Sequence, residues 1–226
     1  MLFNRAKNFH FDSIEKSGAN DNNAVKRYFS EVYPERSKNN IVFRRGEAQK
    51  ICIIGKWIAD LPISSVLDIG CGDGVLLAQI LAKRIKLIRL EDFILKNIRR
   101  ASVSLTPLAD IIESDIIDVM KSSSPFRYDL VLAVGIFDYY PHWSDFLLKL
   151  LRRVGSYLIL DFPRSYTLHA AVRRPWLAYH GIRLHTIGKH DLIRFLDGTR
   201  LYYEISETSI NWLVKITKAN ELTEYG

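Results

Sequence analysis

The chain has 226 residues, of which 48% are hydrophobic and 25% are charged, and this composition suits one globular domain with a large core. Its formal net charge of +7 predicts a surface that attracts anions, although charge alone does not choose among nucleic acid, an anionic membrane surface and an acidic small molecule. The two widely spaced cysteines, Cys52 and Cys71, exclude a disulfide framework and a cysteine-based metal cluster.

No targeting or membrane-spanning segment is recognisable. Residues 1–11 contain Arg5 and Lys7 but not the apolar run that a secretory signal peptide requires. No stretch of about 18 apolar residues occurs, so no transmembrane helix is predicted. We therefore expect a cytoplasmic protein in which both cysteines are free thiols.

Residues 1–46 are predicted to form an N-terminal arm that serves as a lid. Residues 1–24 are polar and rich in asparagine, which favours an irregular segment. A short helix is predicted over residues 25–32. It should end near Pro34, because the residue before a proline disfavours helical backbone.

From residue 47 onward, helical and extended patterns alternate. Apolar positions at helical spacing predict helices, and short apolar runs predict strands. Helices are predicted at 47–60, 76–81, 93–101, 143–154 and 190–196. Strands are predicted at 63–69, 86–90, 108–113, 128–134, 157–160, 201–205 and 210–216. This alternation predicts an α/β domain over residues 47–226, with a doubly wound, mostly parallel sheet of seven strands.

The alternation breaks after Pro163. Residues 163–187 are longer than an ordinary connection and contain Trp176 and three histidines, His169, His180 and His185. We predict that this insert forms a cap over a pocket. Its neighbouring basic residues, Arg173 and Arg174, fit a solvated face better than a contact with an anionic substrate or a membrane.

The most informative segment is the turn after the first strand. Val66 to Ile69 is apolar apart from Asp68, and the turn that follows contains Gly70, Gly72 and Gly74. Glycines allow a sharp turn and a close approach to a ligand, and open α/β sheets bind ligands at this edge. A dinucleotide site would use a similar turn, but an acid two residues before the first glycine suits a cationic amino group better than a phosphate.

This segment resembles the first motif of the class I S-adenosylmethionine-dependent methyltransferases, an acid followed by three alternating glycines. The resemblance covers roughly residues 47–162. It implies their Rossmann-like fold, S-adenosylmethionine as the cofactor and methyl transfer as the activity. It also implies that Asp68, Gly70, Gly72 and Gly74 hold the methionine end of the cofactor.

The resemblance implies roles for residues that end the next three strands. Glu91 would bind the ribose hydroxyls, with Asp92 as the alternative one position later. Asp115 and Ile116 would hold the adenine, and Val134 would lie beside the methionine part. Taken alone, Glu91 could instead cap a helix and Asp115 could cap a turn, and it is the occurrence of both acids in the right order that favours the assignment.

The loop after the fourth strand is expected to face the acceptor. Tyr139 and His142 are candidates for removing the acceptor's proton, and Tyr140 for contacting the acceptor. The alternatives are that both tyrosines pack under the lid and that His142 starts the next helix. Arg164, after the fifth strand, could pair with a carboxylate or phosphate of the acceptor or could lie on the surface.

The sequence lacks the catalytic motifs of other methyltransferase classes. The loop lacks the Asp/Asn-Pro-Pro-Tyr/Phe sequence of enzymes that methylate exocyclic amines of nucleic acids. Neither Cys52 nor Cys71 is placed to act as the nucleophile of the cytosine-C5 enzymes. Asp138 and Asp161 stand where metal-dependent catechol enzymes carry acids, but Phe162 replaces their asparagine, so no metal is expected.

Residues 25–29 and 40–47 are loosely similar to the N-terminal arm of magnesium-protoporphyrin O-methyltransferases, which folds over the cofactor. This likeness implies that Tyr28 and Arg45 are lid residues and that Tyr28 contacts the substrate, without implying a porphyrin substrate.

The sequence thus predicts a small-molecule methyltransferase that favours O-methylation over N-methylation. The acceptor could be anionic, nucleic acid is the weaker partner, and the chain would act as a monomer or a homodimer. Two alternatives stay open: an RNA methyltransferase, favoured by the charge of +7, and a cofactor-binding partner subunit without activity.

Overall fold

A computed structural model of the protein describes residues 22–32, 41–117, 126–199 and 201–218, so most of the predicted arm lies outside the described residues. The α-helices are α1 (Asn22–Arg27), α2 (Ile41–Ile58), α3 (Val75–Ile80), α4 (Leu95–Leu105), α5 (Trp143–Leu151), α6 (Leu168–Tyr179) and α7 (Lys189–Thr199). The strands are β1 (Ser65–Ile69), β2 (Ile85–Asp92), β3 (Ala109–Ile116), β4 (Tyr128–Ala133), β5 (Val154–Pro163), β6 (Tyr202–Glu207) and β7 (Asn211–Thr217).

The strands form one sheet in the order β3-β2-β1-β4-β5-β7-β6. Strands β1 to β5 are parallel, and β7 pairs antiparallel with both β5 and β6. The strand order reverses between β1 and β4, and ligands bind at such a point in open α/β sheets. The predicted doubly wound, mostly parallel sheet of seven strands is confirmed.

A separate apolar core covers each face of the sheet. On one face, helices α2, α3 and α4 contribute Ile54, Leu77 and Ile98, which belong to the same cluster as Ile88 and Leu130 of the strands. On the other face, helices α5 and α7 pack on the central strands. This second cluster includes Phe146, Leu150, Leu192, Val131 and Leu158. The central strands read as continuous apolar runs because both of their faces are buried.

Two elements differ from the sequence prediction. Helix α2 begins at Ile41 rather than at residue 47, so part of the predicted arm belongs to this helix. The insert contains a helix, α6, which the sequence did not predict. The buried positions of α6, Ala170 and Leu177, stand two turns apart, and Pro175 interrupts the pattern that would have indicated a helix.

None of the helices in the described ranges is both long and apolar enough to cross a membrane.

Candidate functional site

A cavity of about 710 Å³ opens at the carboxyl ends of β1, β2, β4 and β5, a size typical of small-molecule and cofactor sites. Several parts of the chain line it, among them the glycine turn with the end of β2, the segment after β4, the inward face of α2, the cap helix α6 and the described part of the arm. Strand ends with parallel neighbours converge on one edge, which explains why residues distant in sequence meet here.

The predicted glycine turn forms one wall of the cavity, which Gly70 and Gly72 line and Gly74 does not. Gly70, Gly72 and Gly74 all have positive φ angles, of 68°, 55° and 77°. A Cβ atom on Gly74 would lie 2.9 Å from the Cα atom of Ala101, so only glycine lets α4 pack this closely. A Cβ on Gly72 would meet nothing within 4 Å, so the space beside Gly72 is open.

Two buried acids accompany this turn. Asp68, at the end of β1, lines the cavity and is 4% exposed. Burial, and then the negative charge of Asp92, raise the pKa of Asp68 to about 7. The pKa of Asp92 is also raised by burial, although hydrogen bonds to its carboxylate oppose the shift. Two adjacent carboxylates with raised pKa values suit a ligand that brings positive charge or hydroxyl donors.

The acid that reaches the cavity from β2 is Asp92, not Glu91. The Oδ2 atom of Asp92 accepts a hydrogen bond from the Gly72 N–H at 3.0 Å, and Oδ1 accepts one from the Ile94 N–H at 2.8 Å. The Asn97 side chain and the Phe93 N–H also donate hydrogen bonds to this carboxylate, so a ribose hydroxyl would replace or share one of these local donors. Asp92, the alternative to Glu91 as the ribose acid, is therefore the residue that lies at the site.

The side chain of Glu91 lies away from the cavity. It is 1% exposed and makes a bidentate ion pair with Arg153, with N–O distances of 2.6 and 2.7 Å. Successive side chains of a strand alternate between faces, so Glu91 shares the face of Arg89, and Asp92 shares that of Leu90. Only the main-chain oxygen of Glu91 serves the turn, since it accepts hydrogen bonds from the N–H groups of Gly70 and Cys71.

The predicted adenine residues are not brought together with the rest of the site. Asp115 is paired with Arg89, and Ile116 is 56% exposed. Neither residue lines the cavity: in the edge strand β3, Asp115 is level with Glu91 and shares its face, and Ile116 is level with Asp92 but lies one strand further out. Phe93, Ile94 and Asn97, which follow β2, line the cavity instead, and Val134 lines it as predicted.

The loop after β4 contributes a group of polar side chains to the opposite wall. Asp138 and Tyr139 lie in a 3₁₀ turn, and both are buried. Arg173 of the cap helix donates hydrogen bonds to Asp138 Oδ2 and, at 2.6 Å, to the hydroxyl oxygen of Tyr139. Although burial alone would lower the pKa of Arg173, the charge of Asp138 raises it, so the guanidinium stays charged. Tyr140 and His169 also line this wall.

Aromatic rings connect the two walls. Phe29, from the described part of the arm, lines the cavity and meets Phe93 edge-on at 6.1 Å between ring centroids and Tyr139 at 5.1 Å. Tyr28 is buried beside Phe29 and His180 but does not line the cavity. The arm therefore takes part in the site through Phe29, whereas the sequence indicated Tyr28. Arg45 is exposed on α2 and is not part of the cavity wall.

Two other sequence candidates lie outside the cavity. His142 is exposed at the start of α5, in keeping with the alternative that it begins this helix. Arg164 donates a hydrogen bond of 2.6 Å to the carbonyl oxygen of Thr208, pairs with Glu207 and lies 4.6 Å from the ring centre of Trp212. These contacts give Arg164 a structural role at the end of β5.

A buried ion-pair network that the sequence did not indicate supports the far side of the cavity. Asp161, which is fully buried, accepts hydrogen bonds from the Gly135 N–H at 2.6 Å and from Asn211 at 2.8 Å. Lys50 of α2 lies 2.8 Å from Asp161 and 2.9 Å from Glu47. Although burial opposes it, these two carboxylates raise the pKa of Lys50. The network fixes Gly135, where the loop after β4 begins.

Cys71 lines the cavity, but its thiol is a weak nucleophile there. Burial, followed by the charges of Asp68 and Asp92, raises the pKa of the Cys71 thiol, so a nucleophilic thiolate is disfavoured. Within the described residues, no group of three or more histidine, cysteine or acidic side chains could hold a metal ion.

No protein-family model matches the chain, and no curated protein matches it significantly. Solved structures do resemble it. Magnesium protoporphyrin IX methyltransferase from Synechocystis PCC 6803, with SAH bound, has a TM-score of 0.66 and 20% identity over 87% of this chain and 99% of its own. The N-methyltransferase NodS from Bradyrhizobium japonicum WM9, in complex with S-adenosyl-L-homocysteine, has a TM-score of 0.64 and 17% identity over 88% and 98%.

The small RNA methyltransferase HEN1 is also similar, with a TM-score of 0.61 and 17% identity over 77% of this chain but only 25% of its own. Identities this low show the fold alone. The chain therefore has the class I methyltransferase fold, and its cofactor, acceptor and activity rest on the site itself.

Proposed function

We propose that this protein is an S-adenosylmethionine-dependent methyltransferase that acts on a small molecule, with O-methylation favoured over N-methylation. One observation carries the proposal: a single cavity joins a glycine turn with two buried acids to a polar and aromatic wall under a cap helix. Cofactor and acceptor could thus meet in one cavity, and methyl transfer requires that the two lie side by side.

The glycine-turn end is assigned to the cofactor. Asp92 would accept hydrogen bonds from the ribose hydroxyls, and Asp68 would pair with the ammonium of the methionine part. Phe93, Ile94 and Asn97 line the cavity beside Asp92, which supports their assignment to the purine side. Bound S-adenosylmethionine would supply an electrophilic methyl group on a positively charged sulfur.

The chain's own contribution is to orient the two reactants and exclude water. The cap helix and Phe29 cover the cavity, and Arg173 ties the cap to the loop after β4 through Asp138 and Tyr139. A concave cavity covered on these sides supports a small acceptor over a polymer. Arg164 lies outside the cavity and Arg173 is paired with Asp138, so an anionic acceptor would rely on Arg44 or Arg100, which line the cavity.

Isothermal titration with S-adenosylhomocysteine, the product form of the cofactor, tests the assignment. Wild-type protein is expected to bind it with micromolar affinity and NAD⁺ at least about 100-fold more weakly, because NAD⁺ would bring a pyrophosphate to two buried carboxylates. Tighter binding of NAD⁺ would support the dinucleotide site that the glycine turn also allowed. Absence of binding to S-adenosylhomocysteine would refute the proposal.

An RNA methyltransferase is the second candidate, favoured by the net charge of +7. It predicts that purified protein retains RNA and that its affinity for RNA falls steeply with salt. Our proposal predicts no RNA-dependent methyl transfer, measured by transfer of labelled methyl groups to total RNA. Labelled RNA would support this second candidate against the first.

A further inference from the structure

Asp138 has one carboxylate oxygen in use and one without a partner. Its Oδ2 atom accepts a hydrogen bond from Arg173, whereas Oδ1 is buried and has no hydrogen-bond partner within the described residues. Asp138 is one of the residues that line the cavity, so a ligand bound there would lie beside this side chain.

Such an oxygen is costly to leave unsatisfied. A buried polar atom without a hydrogen bond destabilises the folded state by about 1–3 kcal/mol, and more when it is charged. Native proteins keep few of them, and those that exist call for an explanation such as a ligand. A carboxylate oxygen accepts hydrogen bonds and cannot donate them, so the missing ligand group must carry a proton.

The side chain is also held in place from several sides. Arg173 of α6 binds Oδ2 and the Tyr139 hydroxyl together, and the main-chain oxygen of Asp138 accepts a hydrogen bond from the His185 N–H at 2.9 Å. Arg173, within α6, and His185, after α6, both belong to the insert and together fix the position of Asp138. Preorganised polar groups of this kind are typical of binding and catalytic sites.

We propose that Asp138 Oδ1 is the hydrogen-bond acceptor that selects and orients the methyl acceptor. The acceptor would be a hydroxyl or amine, whose O–H or N–H donates to Oδ1. Orientation by this hydrogen bond directs a lone pair of the acceptor atom toward the methyl group. The neighbouring Tyr139 and Tyr140 rings fit an acceptor that carries this group on a flat ring. This inference rests on the proposed function and deepens it.

The product of the reaction would bind less well than the substrate. An O–H that has become an ether can no longer donate, so Oδ1 again lacks a partner. Release of the methylated product is therefore favoured without any change in the cofactor end of the cavity. Phenol and anisole, which differ only in this proton and methyl group, serve as matched probes.

The test compares the dissociation constants of phenol and anisole by ligand-observed NMR, with and without saturating S-adenosylhomocysteine. Wild-type protein is expected to bind phenol about tenfold more tightly than anisole in at least one of the two states, the factor that one charge-assisted hydrogen bond provides. Equal binding of the two probes in both states, or no binding of either up to about 10 mM, would overturn the inference.

Asp138→Asn provides the sharpest variant. Because Arg173 only donates, the amide oxygen must face Arg173 and the amide NH₂ takes the place of Oδ1. We expect the preference for phenol to disappear, since the NH₂ group can donate to the oxygen of either probe but cannot accept the phenol O–H. Asp145→Asn, the same change at an exposed position of α5 outside the cavity, should keep the wild-type preference.

If Asp138→Asn still preferred phenol, another residue would accept the hydrogen bond of the phenol O–H, and the inference would be overturned. The proposed function fails separately, if S-adenosylhomocysteine does not bind. Circular dichroism of Asp138→Asn verifies that the variant folds, and if it does not, the wild-type preference still decides.

Discussion

The two ends of the cavity are built in different ways. The cofactor end is formed largely by one stretch of sheet edge, where the turn after β1 meets the end of β2 through the main chain of Glu91 and the side chain of Asp92. The acceptor end is formed by side chains from three separate segments, with Asp138 and Arg173 standing 35 positions apart. A site made of local backbone geometry leaves a pattern in the sequence, whereas a site made of long-range side-chain contacts does not.

The adjacent acids Glu91 and Asp92 give the strongest test of this division, because they are assigned opposite tasks. Glu91→Gln removes the charge that neutralises buried Arg153. Loss of one partner of a buried ion pair costs about 3–5 kcal/mol, so we expect a decrease of about 3 kcal/mol in the free energy of unfolding, measured by urea titration. Affinity for S-adenosylhomocysteine should stay within about threefold. If Glu91→Gln instead lost affinity for S-adenosylhomocysteine and kept its free energy of unfolding, Glu91 would be the residue that binds the ribose.

Asp92→Asn should do the reverse. It removes the charged acceptor assigned to the ribose, and hydrogen bonds to charged groups contribute about 1.5–3 kcal/mol. We expect affinity for S-adenosylhomocysteine to fall about 100-fold by calorimetry, with the protein still folded. The control is Asp110→Asn, an equivalent change at an exposed position of β3 that lies outside the cavity. Equal affinities for the two variants would contradict the assignment.

Binding at the cofactor end should also depend on pH. The pKa of Asp68 is raised to about 7, so its carboxyl is protonated below this pH and cannot pair with the cofactor's ammonium. Affinity for S-adenosylhomocysteine is expected to fall about tenfold from pH 8 to pH 6. Asp68→Asn should bind weakly at both values and lose this dependence. A wild-type affinity that is flat over this range would contradict the pairing.

The same pKa shift has a consequence for stability. A folded-state pKa above the unfolded value means that the folded protein binds more protons between about pH 4 and pH 7, so this group's contribution to stability falls as pH rises through that window. Asp68→Asn should therefore raise the melting temperature of the cofactor-free protein at pH 8. A lower melting temperature would show that Asp68 stabilises the fold rather than serving a ligand.

The smallest effects are expected at His142 and Arg164, which lie outside the cavity. His142→Ala alters an exposed side chain, and Arg164→Gln removes contacts with Thr208, Glu207 and Trp212. Each variant should keep cofactor affinity within about twofold and lose at most about 1 kcal/mol of stability. A tenfold lower rate of methyl transfer in His142→Ala would show that His142 takes the proton from the methyl acceptor.

The fold could be predicted from the sequence because the central strands are buried on both faces. Segments such as Leu130 to Ala133 are continuously apolar, and along most of the chain such runs alternate with helical patterns at the spacing of an α/β domain. The glycine turn was recognisable because positive φ angles at Gly70, Gly72 and Gly74 restrict these positions to one residue type. The cap helix α6 was missed because Pro175 stands within it.

Whether Glu91 or Asp92 reaches the cavity depends on which face of β2 each side chain occupies, because alternate residues of a strand share a face. Ile88 and Leu90 are buried in the core beneath α3 and α4, and Asp92 continues their face, whereas Arg89 and Glu91 share the other. A signal was therefore present in the alternation of polar and apolar residues. No such signal marked Asp138, since its pairing with Arg173 arises only when the insert folds over the loop after β4.

A crystal structure of the protein with S-adenosylhomocysteine tests the central claim most directly. We expect the ribose hydroxyls to lie within hydrogen-bond distance of Asp92 and the amino group of the homocysteine part to lie beside Asp68. Glu91 should still be paired with Arg153. A ligand bound outside this cavity, or a ribose held by Glu91 after the Arg153 pair has opened, would contradict it.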